Sequence, residues 1–234
     1  YIGHIPECGA QALTGVGVCF PIITFVSAFT SLMGMGGAPL AGIELGKKER
    51  EKAEKILGNS ASSLVILSVI LMVVFQIIKK PFLFMFGASE ATYVYAGPYL
   101  TIYLTGTIFA MLSIGLNAYI TTQGASVTAM LSVIIGAVVN MILDPIFIFG
   151  LNLGVQGAAI ATVISQAISA IWVLAFLFGK KATLRLRVKY MIPDIKIIGK
   201  ICSLGISPFI MGATESLISV IFNSGAQKFG GDLY

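Results

Sequence analysis

The chain has 234 residues, 57% of them hydrophobic and only 11% charged, and its mean hydropathy is +0.95. A soluble domain of this size would need far more charge to cover its surface, so the composition excludes that class and indicates a membrane protein. The formal net charge of +5 does not point to nucleic acid, because the basic residues cluster between apolar runs, as loops flanking membrane spans do.

The chain opens at Tyr1 with no cleavable signal pattern and is expected to be part of a longer protein. His4 lies in an opening segment where nothing marks it as a ligand, and Cys8, Cys19 and Cys202 show neither metal-ligand nor paired spacing. A membrane helix needs about 20 mostly apolar residues. The first such run goes from Gly15 to Ile43, and the charged loop ELGKKEREKAEK, Glu44 to Lys55, follows it. The second goes from Ile56 to Ile78 and ends at Lys79, Lys80 and Pro81. Ala91 to Leu143 is uncharged and too long for one span. A break at TTQGAS, Thr121 to Ser126, divides it into one helix from Tyr93 to Ile120 and another from Val127 to Phe149. GLNLGVQG, Gly150 to Gly157, has the composition of a tight turn. A helix from Ala158 to Phe178, a basic linker over residues 179–200 and a last helix from Ile201 to Phe222 complete six expected spans.

Lys47, Lys48, Arg50, Lys52 and Lys55 fall on the same side as the seven basic residues of the linker, whereas only Lys79, Lys80 and Lys228 fall on the other. The positive-inside rule therefore assigns residues 44–55 and 179–200 to the cytoplasm. A faint echo links the opening YIGHIPECGAQALTG to the closing KFGGDLY, as in the internal repeats of secondary transporters.

Asp144 and Glu215 are the carboxylates inside the expected spans. A carboxylate in the bilayer core costs roughly 2.5–3.5 kcal/mol, so its default reading is functional, facing a bundle interior or wet cavity. The structural alternative for Asp144 is an acid at a helix end reaching water, with Pro145 a simple kink. Asn140 and Asp144, four apart, share a helical face. Thr162 lies about as far beyond the turn at Gly154 as Asp144 lies before it, so the two should sit at similar depth. An amide, a carboxylate and a hydroxyl together suit sodium, which takes hard oxygen ligands, or a proton. Asn117 could join from the preceding helix if that helix tilts. Glu215 lies about fourteen residues into the last helix, near mid-membrane at roughly 1.5 Å per residue, and could exchange a proton or serve as a structural acid.

GMGGAPLAG, Gly34 to Gly42, and GAAIATVISQ offer small residues for close helix packing. Met33, Met35, Met111, Met130, Met141 and Met211 could line an adaptable cavity or simply pack, and Trp172 reads as a packing or interfacial residue. No Walker loop, HExxH or nucleophile triad is present, so nothing points to an enzyme.

NMILDPIFIFGLNLGVQGAAIATVISQ, Asn140 to Gln166, resembles the hallmark stretch of the multidrug and toxic compound extrusion (MATE) transporters. GGAPLAGIELGKKEREKAEKILGN, Gly36 to Asn59, resembles their second-helix exit and first cytoplasmic loop, and ALTGVGVCFPI, Ala12 to Ile22, the entry to helix two. The resemblance implies an all-α polytopic bundle carrying helices two to seven of twelve. Residues 1–178 would be an N-terminal lobe lacking helix one, 179–200 the cytoplasmic linker, and 201–234 the first helix of the C-terminal lobe. It implies a cation-coupling site for H+ or Na+ at Asp144, Asn140, Asn117 and Thr162, a second-lobe acid at Glu215, and helix bends at Pro21, Pro145 and Pro208. The function implied is a plasma-membrane antiporter exporting organic cations such as dyes, antibiotics and antiseptics. It would act as a monomer, with no cofactor beyond its coupling ion. A lipid-linked oligosaccharide flippase of the same superfamily is the nearest alternative, but the expected spans carry no Lys or Arg to grip pyrophosphate. A helical-bundle receptor or channel is a more distant one.

Overall fold

The computed structural model describes residues 1–5 and 9–230, with the side chains of 226, 229 and 230 left aside. Cys8 and the last four residues of KFGGDLY lie outside the described residues. Among those described there is no strand, and seven α-helices follow one another: α1 Gly9–Gly46, α2 Arg50–Met85, α3 Glu90–Thr105, α4 Thr107–Thr122, α5 Ser126–Pro145, α6 Gly154–Phe178 and α7 Ile195–Gly230. Five are long and apolar enough to cross a membrane, and six spans result if α3 and α4 count as one.

Three differences from the sequence expectation have a clear cause; the others are helix ends, such as α2 running on through Pro81 to Met85. The charged loop is nearly all helix, since only Lys47 to Glu49 separate α1 from α2. Arg50 pairs with Glu54 at 3.1 Å and Lys55 with Glu51 at 3.1 Å, the i,i+4 spacing that supports a helix start. The expected helix from Tyr93 to Ile120 is broken: α3 and α4 meet at 56°. The break is at Gly106, where Val163 of α6 occupies the space a Cβ would need. The last helix begins six residues early, because Asp194 caps it: its carboxylate accepts from the Lys196 amide at 2.8 Å.

The other turns follow their chemistry. Ser89 and Thr92 form a capping box at the start of α3. The α5–α6 turn places Asn152 and Gly154 at φ +53° each, the left-handed region that Asn and Gly tolerate best.

Helix α1 lies at the centre, packed against α2, α3, α4 and most extensively α7. The glycines of GMGGAPLAG explain how one helix meets several neighbours. Gly34 faces Gly115 of α4, Gly36 faces Gly205 of α7, and Gly37 faces Tyr119 and Ser60, which hydrogen bond to each other. Pro21 has no N–H, which frees the Gly17 carbonyl, and Asn223 of α7 donates to that carbonyl at 3.5 Å. Ser216 of α7 donates to the Pro21 carbonyl at 2.7 Å.

The linker is clasped to α2. The Glu54 carboxylate, buried, takes Arg50 on one oxygen and Arg187 of the linker on the other, the latter at 2.7 Å. Asn59 donates to the Tyr190 carbonyl at 3.4 Å and accepts from the Asp194 amide at 2.6 Å. These contacts gather the lysine-rich segments at one basic end of the bundle.

Candidate functional site

The α5–α6 hairpin builds the polar centre. Asn140 sits one turn before Asp144 on α5 and donates to its Oδ1 at 3.3 Å. The same amide nitrogen reaches Thr162 Oγ1 on α6 at 3.5 Å. Thr162 donates its own proton to the Ala158 carbonyl at 2.9 Å, which leaves its lone pairs facing Asn140. Asp144 is half-buried and makes no ion pair among the described residues. Immediately after it, Pro145 closes α5 and the chain widens into a π turn over Ile146–Gly150, a feature that often marks functional sites in helices.

A cavity of about 360 Å³ opens beside this group, lined by Asn117, Ser132, Asn140, Thr162, Ser165 and Gln166 among others. Asn117 lines the cavity with Asn140 and Thr162, Asp144 is not among its lining residues, and Asn117 does not hydrogen bond to the acid. Its amide donates to the Ala129 carbonyl at 3.1 Å and to Ser132 Oγ at 2.9 Å. Its Oδ1 is buried and has no hydrogen-bond partner among the described residues. Ser169 and Trp172 of α6 donate to the α5 carbonyls of Ser132 and Thr128, at 2.9 and 3.2 Å, and close the same seam.

Two tyrosines of α3 were not singled out by the sequence. The Tyr99 hydroxyl lies beside Thr162, and Tyr103 lies against Gln166. Tyr99 and Tyr103 are four apart, as are Thr162 and Gln166, so two helical faces meet pair to pair. That matched spacing is the sequence signal that could have found them.

Glu215 joins none of this. It is exposed on α7, because Ser216, the next residue, takes the buried position against α1. Pro21 and Pro208 lie within continuous helices α1 and α7. None of the six singled-out methionines lines the polar cavity; Met33 and Met111 are core, while Met35, Met130, Met141 and Met211 are exposed. A second cavity, of about 340 Å³, is lined instead by Phe25, Phe75, Phe82 and Phe86 with residues of α7.

The family model described as MatE matches residues 1–146, more than half of the chain and inclusive of Asn117, Asn140 and Asp144. The chain belongs to the MatE family. Among its MATE relatives, the multidrug export protein MepA of Staphylococcus haemolyticus (strain JCSC1435) is 29% identical over 230 residues, 98% of this chain and 50% of that protein. The solved structure of the MATE multidrug transporter DinF-BH superposes with a TM-score of 0.93 at 35% identity, over 100% of this chain and 52% of that one. An inward-facing MATE family transporter of the MOP superfamily gives a TM-score of 0.89 at 26% identity, over 96% of this chain and 51% of that one. The chain thus spans about half the length of the relatives it matches. It is a membrane-embedded helical bundle with the MATE fold.

Proposed function

We propose that the protein carrying this chain is a secondary active multidrug efflux antiporter of the plasma membrane, exporting organic cations in exchange for protons or sodium. Residues 1–178 then belong to its N-terminal lobe, residues 179–200 form a cytoplasmic linker together with the cytoplasmic turn at 44–55, and α7 opens the second lobe. The observation that carries this reading is the single amide of Asn140 spanning Asp144 and Thr162, at 3.3 and 3.5 Å. A carboxylate without a basic partner, supported by an amide and a hydroxyl, is chemically suited to hold a small cation.

The two candidate ions would use the group differently. A proton on Asp144 lets the carboxyl donate, so Asn140 need only release one bond. Sodium requires oxygens, so the Asn140 amide must turn its Oδ1 inward to join Asp144 and Thr162. The unpartnered Asn117 Oδ1 in the same cavity would be available as a further oxygen. Either ion neutralises Asp144 and weakens its attraction for a cationic cargo, and each charge moved down the potential yields roughly 2.3 kcal/mol per 100 mV. The phenylalanine-lined cavity suits flat aromatic cations, which ring faces attract. The names of the relatives, multidrug export protein and multidrug transporter, support the same cargo class.

The test is efflux of an ethidium-like dye from an efflux-deficient bacterium expressing the protein, with the proton or sodium gradient collapsed in turn. Efflux that stops with one gradient, and with Asp144→Asn, is the expected result. Dye retention equal to the vector control would remove the reading.

A further inference from the structure

At the basic end of the bundle, α1, α2 and α7 converge on a cavity of about 470 Å³. Its floor is apolar, made by Leu40, Ile56 and Ile197, one from each helix. Its rim is basic, with Lys47, Lys52 and Lys55 on one side and Lys200 of α7 on the other. Glu44 and Glu49 also line it, so lysines outnumber carboxylates four to two.

Three of the lysines are held by near neighbours: Lys47 by Glu44 at 2.8 Å, Lys52 by Glu49 at 3.5 Å and Lys55 by Glu51 at 3.1 Å. Such exposed pairs are weak and give way readily to a stronger anion. Lys200 makes no ion pair among the described residues. A neighbouring cavity shares Lys55 and Ile197 and adds Lys189, Lys196, Ile192 and Ile195. Ile192 and Ile195 are 76% and 86% exposed. Lysines and bare isoleucines therefore stand together where three helices leave their apolar stretches, the level of a lipid headgroup layer.

We propose that this pocket seats the phosphate headgroup of an anionic phospholipid, bridging Lys47 and the α2 lysines Lys52 and Lys55 to Lys200. Basic pockets between helices at a membrane surface recognise such headgroups. Lysines alone would suit free phosphate equally well; the apolar floor and the flanking isoleucines select an amphiphile. A lipid in this position ties the start of α7 to the far side of the linker. The proposal does not depend on Asp144 or on what is transported, because lipid binding alone reads it.

The experiment uses the whole protein in nanodiscs of mixed phosphatidylglycerol and phosphatidylcholine, with co-purifying lipid identified by native mass spectrometry. The wild type is expected to retain phosphatidylglycerol selectively, and Lys52→Gln with Lys200→Gln to lower that preference about tenfold. Lys52→Arg with Lys200→Arg keeps the charge and should keep the preference. Lys180→Gln with Lys181→Gln, an equal charge change elsewhere on the basic end, should leave it intact. Should the first glutamine pair fail to fold, Lys200→Gln alone carries the reading, with about a fivefold loss expected. No selectivity in the wild type, equal loss in both glutamine pairs, or displacement of the lipid by millimolar inorganic phosphate would each overturn the proposal.

Discussion

The Asn140 amide does two things with one nitrogen, holding the Asp144 carboxylate and reaching Thr162 across the helix seam. Hydrogen bonds to charged groups are worth about 1.5–3 kcal/mol, so Asn140→Ala should shift coupling-ion affinity roughly tenfold to hundredfold, upward for a proton because the ionised Asp144 loses its donor and downward for sodium because an oxygen ligand is lost. The ion dependence of dye efflux in proteoliposomes reads this directly. Tyr99→Phe removes a hydroxyl beside Thr162 and should cost about 1 kcal/mol, a several-fold rise in the ion concentration for half-maximal transport. An unchanged ion dependence would make Tyr99 a packing residue only. The Asn140, Asp144 and Thr162 grouping was legible in the sequence because helical spacing and similar counts from one turn indicate both face and depth. Tyr99 was not, because its four-residue spacing to Tyr103 matches that of Thr162 to Gln166 without saying that α3 packs against α6. Asn117 was half legible: its count from the turn placed it near the group only if its helix tilts, and its bonds to Ala129 and Ser132 depend on the closeness of α4 and α5.

At the scale of elements, the linker is ordered by two residues of α2. Glu54 is buried between Arg50 and Arg187, and removing its charge leaves two guanidinium groups facing each other. Because both arginines are about half exposed, Glu54→Gln should cost only about 1–2 kcal/mol, well below the loss for a fully buried pair. Limited proteolysis within residues 179–194 should quicken in this variant and in Asn59→Ala, while the dye-binding affinity stays near wild type. A linker no more cleavable than in wild type would mean that the clasp is incidental. The same segment shows the limit of reading by composition. Runs of Glu and Lys read as loop, yet their i,i+3 and i,i+4 pairing extends α1 and α2 to within three residues of each other. Asp194 likewise starts α7 within what composition marks as linker.

Across the whole molecule, α1 and α7 meet through glycine. Gly36 faces Gly205, Gly205 in turn faces the Leu32 backbone, and Gly212 faces Ala28. Gly205→Leu would force the helices apart and should lower stability by about 1–3 kcal/mol, as overpacking does, visible as a lower melting temperature in detergent. A melting temperature equal to wild type would show that the seam yields without cost. The long apolar helices, five among the described residues and six spans if α3 and α4 count as one, were legible from hydropathy and the turn composition at Thr121 to Ser126, since lipid demands such helices whatever their packing. The seam was legible only as a run of small residues, because which helix each glycine meets is decided by the assembled bundle. Glu215 lies on the face of α7 away from α1, because Ser216 and the glycines take the face toward it. The account as a whole depends on Asp144 linking ion to cargo. The most direct measurement compares two modes of dye movement by Asp144→Asn protein in proteoliposomes: dye–dye counterflow, which needs no ion gradient, and uphill efflux driven by one. Counterflow close to wild type with uphill efflux abolished is the predicted result; uphill efflux at the wild-type rate would contradict it.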